Sequence, residues 1–320
     1  MTLPKRRQTG QISGENVVVE CAWMYYEEGL NQKDIADRLG ISRATVVNYL
    51  AEARARGLVR IQMAAEAFTT HRLARDLCSR FGLAAAYVIP NEGLDTEAAF
   101  ARVVRGAASW LPSLLAPGDR LGVAWGRTVY DMAEAVERQA IDDLSVLQLV
   151  GSMATPYGFS AEACSTRLAE RLGARCLNLH APAILSRASL AAELRAEPII
   201  AGQLEALGTI NKVLFSVGTV NRDSHVVLAG VATPDELAFY VARGATGVLC
   251  GRFIDEGGRP IAGPLDARMI GITLDALVGP EVGVLVTPGH DKVDATRAAI
   301  AGGYVTHLVT GLTVAEALLA

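Results

Sequence analysis

The sequence predicts an α/β protein with two domains, a small helical one over residues 1–63 and a larger one with a doubly wound parallel sheet over residues 64–320. Two observations predict this organisation. Residues 29–61 contain two short amphipathic segments that meet at a glycine, and from residue 85 onward short apolar runs alternate with helical runs. A chain of 320 residues that is 51% hydrophobic and 20% charged is long enough for both domains.

Residues 29–61 predict a winged helix-turn-helix. Asn31 is suited to cap the first helix, Gly40 to end it with positive φ, and Ser42 to cap the second helix. A helix over residues 16–28 precedes them, and residues 57–63 predict the first strand of a wing, where Arg60 is available to a phosphate. The residues expected to form the apolar faces of the two central helices are Ile35, Ala36, Leu39, Val46, Val47 and Leu50.

The second of these helices carries side chains suited to DNA. In a helix-turn-helix, its N-terminal residues meet base edges in the major groove. Arg43 suits a guanine or a phosphate, Asn48 an adenine and Thr45 a thymine methyl group, while Ser42 and the helix N-terminus suit a phosphate oxygen. The alternative is a generic helical hairpin with a solvated polar face. The candidate DNA-binding residues are Lys33, Ser42, Arg43, Ala44, Thr45, Asn48 and Tyr49.

The charge distribution agrees with a double-stranded DNA partner for the first domain. The whole chain has a net charge of −4, yet residues 1–63 carry nine Lys/Arg and seven Asp/Glu, whereas residues 64–320 carry 21 Lys/Arg and 27 Asp/Glu. Lys5, Arg6 and Arg7 are candidates for a phosphate-contacting arm, with a solvated terminus as the alternative.

The second domain alternates strands and helices in the manner of a Rossmann-like sheet. Ligands of such sheets bind beyond the carboxyl ends of the strands. The predicted strands are 85–90, 120–124, 145–150, 175–179, 212–217, 247–252, 282–287 and 305–310. Several of them end in glycine-bearing loops, including Trp125–Thr128, Gly151–Ser152 and Gly218–Thr219, which predict a small-molecule pocket.

Several classes of site are not expected. The five cysteines and five histidines are scattered without metal-ligand spacing, so neither a metal nor a disulfide framework is predicted. No strand is followed by G-x-G-x-x-G and no G-x-x-x-x-G-K-[ST] occurs, so no nucleotide cofactor is predicted. The chain has no signal peptide and no membrane-spanning run, which predicts a cytoplasmic protein without a membrane partner.

Motifs along nearly the whole chain resemble one family. They include Y-Y-E-E-G-L-N-Q-K-D-I-A-D-R-L-G-I-S-R-A-T-V, G-V-A-W-G-R-T, H-A-P-A and G-R-F-I-D-E-G-G, and they lie in Tyr25–Ile61, Gly122–Thr128, His180–Ala183, Gly244–Ile261, Arg268–Leu277 and Lys292–Thr310. In these stretches the chain resembles the SorC family of sugar-responsive bacterial transcriptional regulators. The resemblance implies a sugar-binding domain similar to sugar-phosphate isomerases and deaminases, a sugar or polyol effector that is phosphorylated, pseudo-palindromic operators and a homo-oligomer, either a dimer or a tetramer.

The resemblance also implies roles for particular residues. Gly126, Arg127 and Thr128 would contact the phosphate end of the effector, Arg252 and Asp255 would lie at the pocket, and Lys292 would close over the anion. The alternatives are a structural ion pair for Arg252 and Asp255 and a solvated helix-start lysine for Lys292. The pocket loops add Ser152 and Gly218 to the candidates.

The loops that would choose the effector depart from the family pattern. They include Ser216–Gly218, the following run to His225, and Thr287–Asp291, where His290 lies. Both histidines are suited to a polyol, with a surface role as the alternative. Because fold does not fix function, two other functions stay open, a sugar-phosphate isomerase or deaminase (alone or bifunctional) and a binding module without a role in transcription.

Overall fold

The computed structural model describes residues 14–59, 66–69, 71–153 and 158–320. The chain divides into two compact units, Met1–Met63 and Ala64–Ala320. The predicted arm at Lys5, Arg6 and Arg7 and the predicted wing from Arg60 onward lie outside the described residues. No helix within the described ranges is long and apolar enough to cross a membrane.

Residues 14–59 of the N-terminal unit form three helices, and the predicted helix-turn-helix is confirmed. Asn31 accepts hydrogen bonds from two backbone N–H groups in the first turn of the second helix, at 3.0 and 3.1 Å. Gly40 ends that helix at φ 67°, and Ser42 accepts a bond from the backbone N–H of Thr45 at 3.0 Å. The helices are α1 (Gly14–Tyr26), α2 (Gln32–Leu39) and α3 (Arg43–Ala55).

The core of this unit takes one face from each helix. On α3 the buried side chains are Val46, Leu50 and Ala53, spaced at i, i+4 and i+7. The prediction that Val47 belongs to this stripe is wrong, because the next position on a helix turns away by about 100° and the Val47 side chain is 44% exposed. The core residues contributed by α1 and α2 are Val18, Cys21, Ala22, Met24, Ile35 and Ala36.

The larger unit is built on a parallel sheet, as predicted. The described strands of this unit are β1 (Ala85–Ile89), β2 (Arg120–Val123), β3 (Ser145–Gln148), β4 (Arg175–Leu177), β5 (Lys212–Phe215), β6 (Gly247–Leu249), β7 (Arg252–Ile254), β8 (Val282–Thr287) and β9 (His307–Gly311). Among the described residues, seven of these strands pair in the order β1-β9-β8-β5-β2-β3-β4, and every pairing is parallel.

Helices cover both faces of this sheet. Along β5, Val213 and Phe215 pack into the layer that contains α5, α10, α13 and α14, whereas Leu214 packs into the layer of α6, α7 and α8. The helices are α4 (Glu66–Thr69), α5 (Arg72–Phe81), α6 (Thr96–Trp110), α7 (Arg127–Ala135), α8 (Ala161–Leu172), α9 (Ala188–Ala196), α10 (Pro198–Leu207), α11 (His225–Leu228), α12 (Pro234–Val241), α13 (Val293–Ala301) and α14 (Leu312–Leu319).

The strand order reverses between β2 and β5. From β2 the chain continues outward through β3 and β4, then returns to β5 on the other side of β2 and continues through β8 and β9. The loops that leave β2 and β5 therefore separate in opposite directions and open a crevice at their carboxyl ends, which is where doubly wound sheets bind ligands.

One predicted strand differs from expectation. Residues 247–252 were predicted as a strand of the parallel sheet, but β6 and β7 form a separate antiparallel hairpin. Cys250 and Gly251 have φ values of 50° and 81°, so they form a two-residue turn that reverses the chain within the predicted strand. Backbone hydrogen bonds between Gly218 and Val248 attach this hairpin to the loop after β5.

Candidate functional site

A pocket of ≈ 180 Å³ lies in the crevice between β2 and β5. Its walls are the loop after β2, the loop after β5 with the start of α11, the turn between β6 and β7, and the segment that leads into α13. The residues that line it are Trp125, Gly126, Arg127, Thr128, Ser216, Val217, Gly218, Thr219, Asp223, Ser224, His225, Val226, Val248, Cys250, Gly251, Asp291 and Lys292.

The loop after β2 presents a helix N-terminus to this pocket. Gly126 is the N-cap of α7 at φ 120° and ψ 167°, a conformation that favours glycine, and no side chain caps the helix. The first backbone N–H groups of α7 have no partner within the helix itself. Together with the buried Thr128, this end of α7 is a suitable cradle for an anionic oxygen.

Lys292 supplies a cation to the same pocket. Its side chain is half-buried at the start of α13. Burial lowers the pKa of Lys292, the neighbouring Asp291 carboxylate opposes this shift, and Arg127 adds a smaller lowering effect. Within the described residues, no carboxylate oxygen lies within 4.0 Å of its amine. The Thr296 hydroxyl donates to the Lys292 carbonyl at 2.7 Å and so fixes the backbone from which the amine projects.

Within the described part of the chain, two serine hydroxyls in the pocket wall have no hydrogen-bond partner. Ser216 follows β5 and Ser224 precedes α11, and the Oγ atom of each is buried without a hydrogen bond. A buried hydroxyl without a partner costs about 1–3 kcal/mol. Both atoms belong to residues that line the pocket, so a hydroxylated ligand bound there is suited to satisfy them.

Arg127 is already paired. Its guanidinium donates to Glu97 of α6 through Nη1 (3.1 Å) and Nη2 (2.5 Å), and it lies 4.4 Å from the centre of the Phe100 ring. The bond to Glu97 is the main cause that raises the pKa of Arg127, and it lowers the pKa of Glu97. The structure thus places Arg127 at the pocket with its charge largely compensated from outside.

The second surface is the exposed face of α3. Arg43, Ala44 and Asn48 are exposed, as is Lys33 on α2. Ser42 is exposed at the N-terminus of α3, where its hydroxyl lies 2.8 Å from that of Thr45. Thr45 and Tyr49 are half-buried, and Tyr49 packs against the core of this unit.

Arg43 is positioned by its neighbour on α2. Its Nε donates to Gln32 Oε1 at 3.2 Å, which holds the guanidinium near the start of α2. Gln32, Lys33 and Arg43 line one open groove together with Tyr25 and residues 29–31. The groove brings two cations and two helix N-termini together, an arrangement suited to a nucleic-acid phosphate.

Comparison with known proteins identifies the family. The Sugar-bind model of a sugar-binding domain matches residues 65–320, and a model of the MarR family matches residues 22–67. The chain is 35% identical to the transcriptional regulator YjhU of Escherichia coli K12, over 98% of each chain. The full-length sorbitol operon regulator SorC of Klebsiella pneumoniae has the same fold, with a TM-score of 0.78 at 24% identity over 96% of this chain and 99% of that chain. This chain belongs to the SorC family of transcriptional regulators.

Two further relatives of this SorC-family chain are named for their regulatory roles. The transcriptional regulator LsrR of Klebsiella pneumoniae is 30% identical over 97% of this chain and 94% of the relative. The deoxyribonucleoside regulator of Bacillus subtilis is 28% identical over 95% of this chain and 97% of the relative. Both similarities span the two units, so they concern the whole arrangement of a helix-turn-helix followed by a sugar-binding domain.

The structure brings five of the eight predicted effector residues of this SorC-family chain together. Gly126, Arg127, Thr128, Gly218 and Lys292 all line the pocket. Their roles as effector ligands stay predictions.

The described residues contain no group of three His, Cys, Asp or Glu side chains that could hold a metal ion.

The other three predicted effector residues lie outside the pocket lining. Arg252 donates hydrogen bonds to Asp266 (3.0 Å) and to the carbonyl of Ile272 (2.8 Å). It therefore holds the segment 266–272 against the hairpin of β6 and β7. Asp255 accepts from the backbone N–H of Arg259 at 2.8 Å and stabilises a tight turn. Ser152 pairs through its backbone with residues 181 and 183.

Several residues of the pocket were not predicted from the sequence. Ser216, Ser224, Asp223 and Cys250 line the pocket, but none was a candidate. Ser216 carried a usable signal, because a polar residue directly follows the buried strand β5 at a carboxyl end. His225 lines the pocket as the polyol hypothesis required, whereas His290 is exposed and lies outside the lining.

Proposed function

We propose that this SorC-family chain binds operator DNA through α3 and that an anionic sugar or polyol, in particular a phosphorylated one, binds between β2 and β5 and changes its DNA affinity. The observation that carries the effector assignment is that one pocket contains the Lys292 amine together with the hydroxyls of Ser216 and Ser224, which are buried and have no hydrogen-bond partner among the described residues. A phosphate suits the cation and the helix N-terminus, and sugar hydroxyls suit the serines.

The regulator works as a homo-oligomer, a dimer or a tetramer, in this proposal. One helix-turn-helix reads only a half-site, and two recognition helices about 34 Å apart are needed to read two successive turns of DNA. The effector acts by binding one arrangement of the oligomer more tightly than another. Such a protein acts on DNA in the cytoplasm and needs no cofactor for this function.

Regulation rather than catalysis is the function that the named relatives support. YjhU and LsrR are named transcriptional regulators, and each is similar to this chain over nearly its full length. The pocket does contain Asp223 and His225, which are residue types used as general acids and bases. Incubation of each sugar phosphate with the purified protein, followed by phosphorus NMR, is therefore part of the test, and turnover would contradict the proposal.

The central experiment measures DNA binding by fluorescence anisotropy. The probe is the DNA upstream of the gene for this protein, titrated at several salt concentrations with and without a panel of sugar and polyol phosphates and their unphosphorylated counterparts. We expect a salt-sensitive complex whose affinity changes with one phosphorylated compound. Absence of any DNA binding at low salt would contradict the regulatory function, and a response to an unphosphorylated compound alone would contradict the phosphate assignment.

Serine variants connect the effector to the pocket. We expect Ser216→Ala and Ser224→Ala each to weaken effector binding about three- to twentyfold, because each removes one hydrogen bond to the ligand. DNA binding without effector should not change. Ser113→Ala is the matched control, since the Ser113 hydroxyl donates to the carbonyl of Trp110 and Ser113 is not among the residues that line the pocket.

A further inference from the structure

An apolar side chain lies on the exposed face of α3. Val47 is 44% exposed although its neighbour Val46 is fully buried. Ala44, Val47, Asn48 and Ala51 follow one another at i, i+3, i+4 and i+7, so they share one exposed stripe of the helix. Val47 is the fifth residue of α3 and thus lies in the N-terminal half, the part of a recognition helix that meets base edges.

The chemistry of the major groove gives this side chain one kind of partner. Base edges there display hydrogen-bond donors, acceptors and the C5-methyl group of thymine, and only the methyl group suits an aliphatic side chain. Asn48, the next residue along the stripe, is suited to the N6 and N7 atoms of adenine. The stripe therefore combines an apolar contact with an adjacent amide contact.

Thr45, the residue that the sequence suggested for a thymine methyl group, has another role. Its hydroxyl lies 2.8 Å from the Ser42 hydroxyl and its backbone N–H donates to the same oxygen at 3.0 Å. Thr45 is also half-buried, whereas Val47 is exposed. The cap of α3 thus occupies Thr45 and leaves Val47 as the more accessible apolar group.

We propose that Val47 contacts the C5-methyl group of a thymine in each operator half-site and is a determinant of operator sequence. This inference rests on the proposed DNA-binding function. It predicts that each half-site contains a thymine close to the adenine read by Asn48, and that loss of the thymine methyl group weakens binding only while Val47 is present.

The test removes the methyl group from the DNA and the side chain from the protein. Every thymine of the operator is replaced in turn by deoxyuridine, which lacks only the C5-methyl group, and the Kd of the full chain is measured by anisotropy. For the wild type we expect one position per half-site to weaken binding about three- to fivefold, the effect of losing one buried methyl contact. For Val47→Ala we expect that position to have no effect.

Two matched variants separate this role from others. Thr45→Ser keeps the hydroxyl that contacts the Ser42 cap and removes the methyl group of Thr45, so it should keep the sensitivity to deoxyuridine. Val47→Thr keeps one methyl group at position 47, so it should retain part of the sensitivity to deoxyuridine that Val47→Ala loses. Because Val47 is exposed, Val47→Ala should unfold at the same temperature as the wild type.

Three results would overturn the inference. One is a wild type that binds DNA but tolerates deoxyuridine at every position. Another is a penalty that persists in Val47→Ala or disappears in Thr45→Ser. Failure of the wild type to bind any DNA would remove the proposed function and this inference with it, and is recognised because no position then has a measurable Kd.

Discussion

Arg127 and Glu97 form a two-bond ion pair that joins the first turn of α7 to the first turn of α6. Arg127 lines the pocket, but its charge is compensated by a carboxylate that the pocket lining does not include. Asp131, one turn along α7, lies 3.5 Å from the same guanidinium. An anionic effector must therefore compete with two carboxylates for Arg127, whereas Lys292 forms no ion pair among the described residues and interacts with Asp291 only at longer range.

Removal of the competing carboxylate should strengthen effector binding. We expect Glu97→Gln to lower the Kd for an anionic effector about two- to tenfold, because Arg127 then turns its charge toward the ligand. Isothermal titration calorimetry measures this directly. Glu134→Gln is the matched control, since Glu134 pairs with Arg167 and Arg171 outside the pocket lining and should leave the Kd unchanged. A higher Kd for Glu97→Gln would mean that the ion pair itself organises the site.

We expect the Lys292 side chain to lower the stability of the fold and to strengthen binding of an anionic effector. We expect Lys292→Met to raise the free energy of unfolding by about 1 kcal/mol, because burial of the Lys292 charge outweighs the attraction of Asp291, which lies in no ion pair with it. The same variant should weaken binding of an anionic effector at least about tenfold. Urea denaturation and calorimetry measure the two effects separately.

Lys212→Met is the control for that prediction. Lys212 lies at the amino end of β5 and contacts Glu281 (3.4 Å) and the buried Asp119 (3.9 Å). Its loss leaves Asp119 without a cation, so we expect the free energy of unfolding to fall by about 1–2 kcal/mol while effector binding stays the same. If both lysine variants shifted the free energy of unfolding in the same direction, burial of the Lys292 charge would not be destabilising as described above.

Gly126 should be required for its backbone conformation alone. No atom lies within 4 Å of the place that a Cβ would take, yet φ is 120°. We expect Gly126→Ala to lower the free energy of unfolding by about 1–2 kcal/mol. Gly202→Ala, inside α10, has equal space and no left-handed φ, and should raise it by about 0.5–1 kcal/mol. Equal shifts in urea denaturation would show that backbone conformation does not distinguish the two sites.

The local parts of this structure could be predicted from sequence. The helix-turn-helix depends on caps and a glycine turn, whose signals lie within a few residues of the structure they determine. Asn31, Gly40 and Ser42 therefore predicted both ends of α2 and the start of α3 correctly. The alternation of strands and helices likewise predicted the parallel sheet and a crevice at the loop after β2.

The parts that depend on distant partners could not be predicted. Arg252 donates hydrogen bonds to residues 14 and 20 positions further along the chain. Nothing in the local sequence indicates that Asp266 would be the partner of its guanidinium. The unsatisfied hydroxyls of Ser216 and Ser224 depend on which groups surround them in three dimensions. Val47 was misplaced because one step along a helix decides between core and surface, and three apolar residues fall within five positions of α3.

Two histidines should make stability depend on pH. Burial lowers the pKa of both His225 and His307 below the ordinary value of 6.5, with added repulsion from Lys292 and Arg127 on His225 and from Lys212 on His307. The unfolded chain therefore binds more protons than the folded chain between the lowered pKa and pH 6.5. Stability is then constant above about pH 6.5 and falls as the pH drops from there through the pKa of the folded state.

Urea denaturation at pH 7.5, 6.5 and 5.5 checks this dependence. We expect His225→Gln and His307→Gln each to lose less stability on acidification than the wild type, and the exposed His290→Gln to lose as much as the wild type. The effector separates the two sites further. A bound anion offsets the repulsion from Lys292 and Arg127, so saturating effector should reduce the acid loss due to His225 and leave that of His307 unchanged. An effector that protects both histidines equally would contradict an anion bound beside His225.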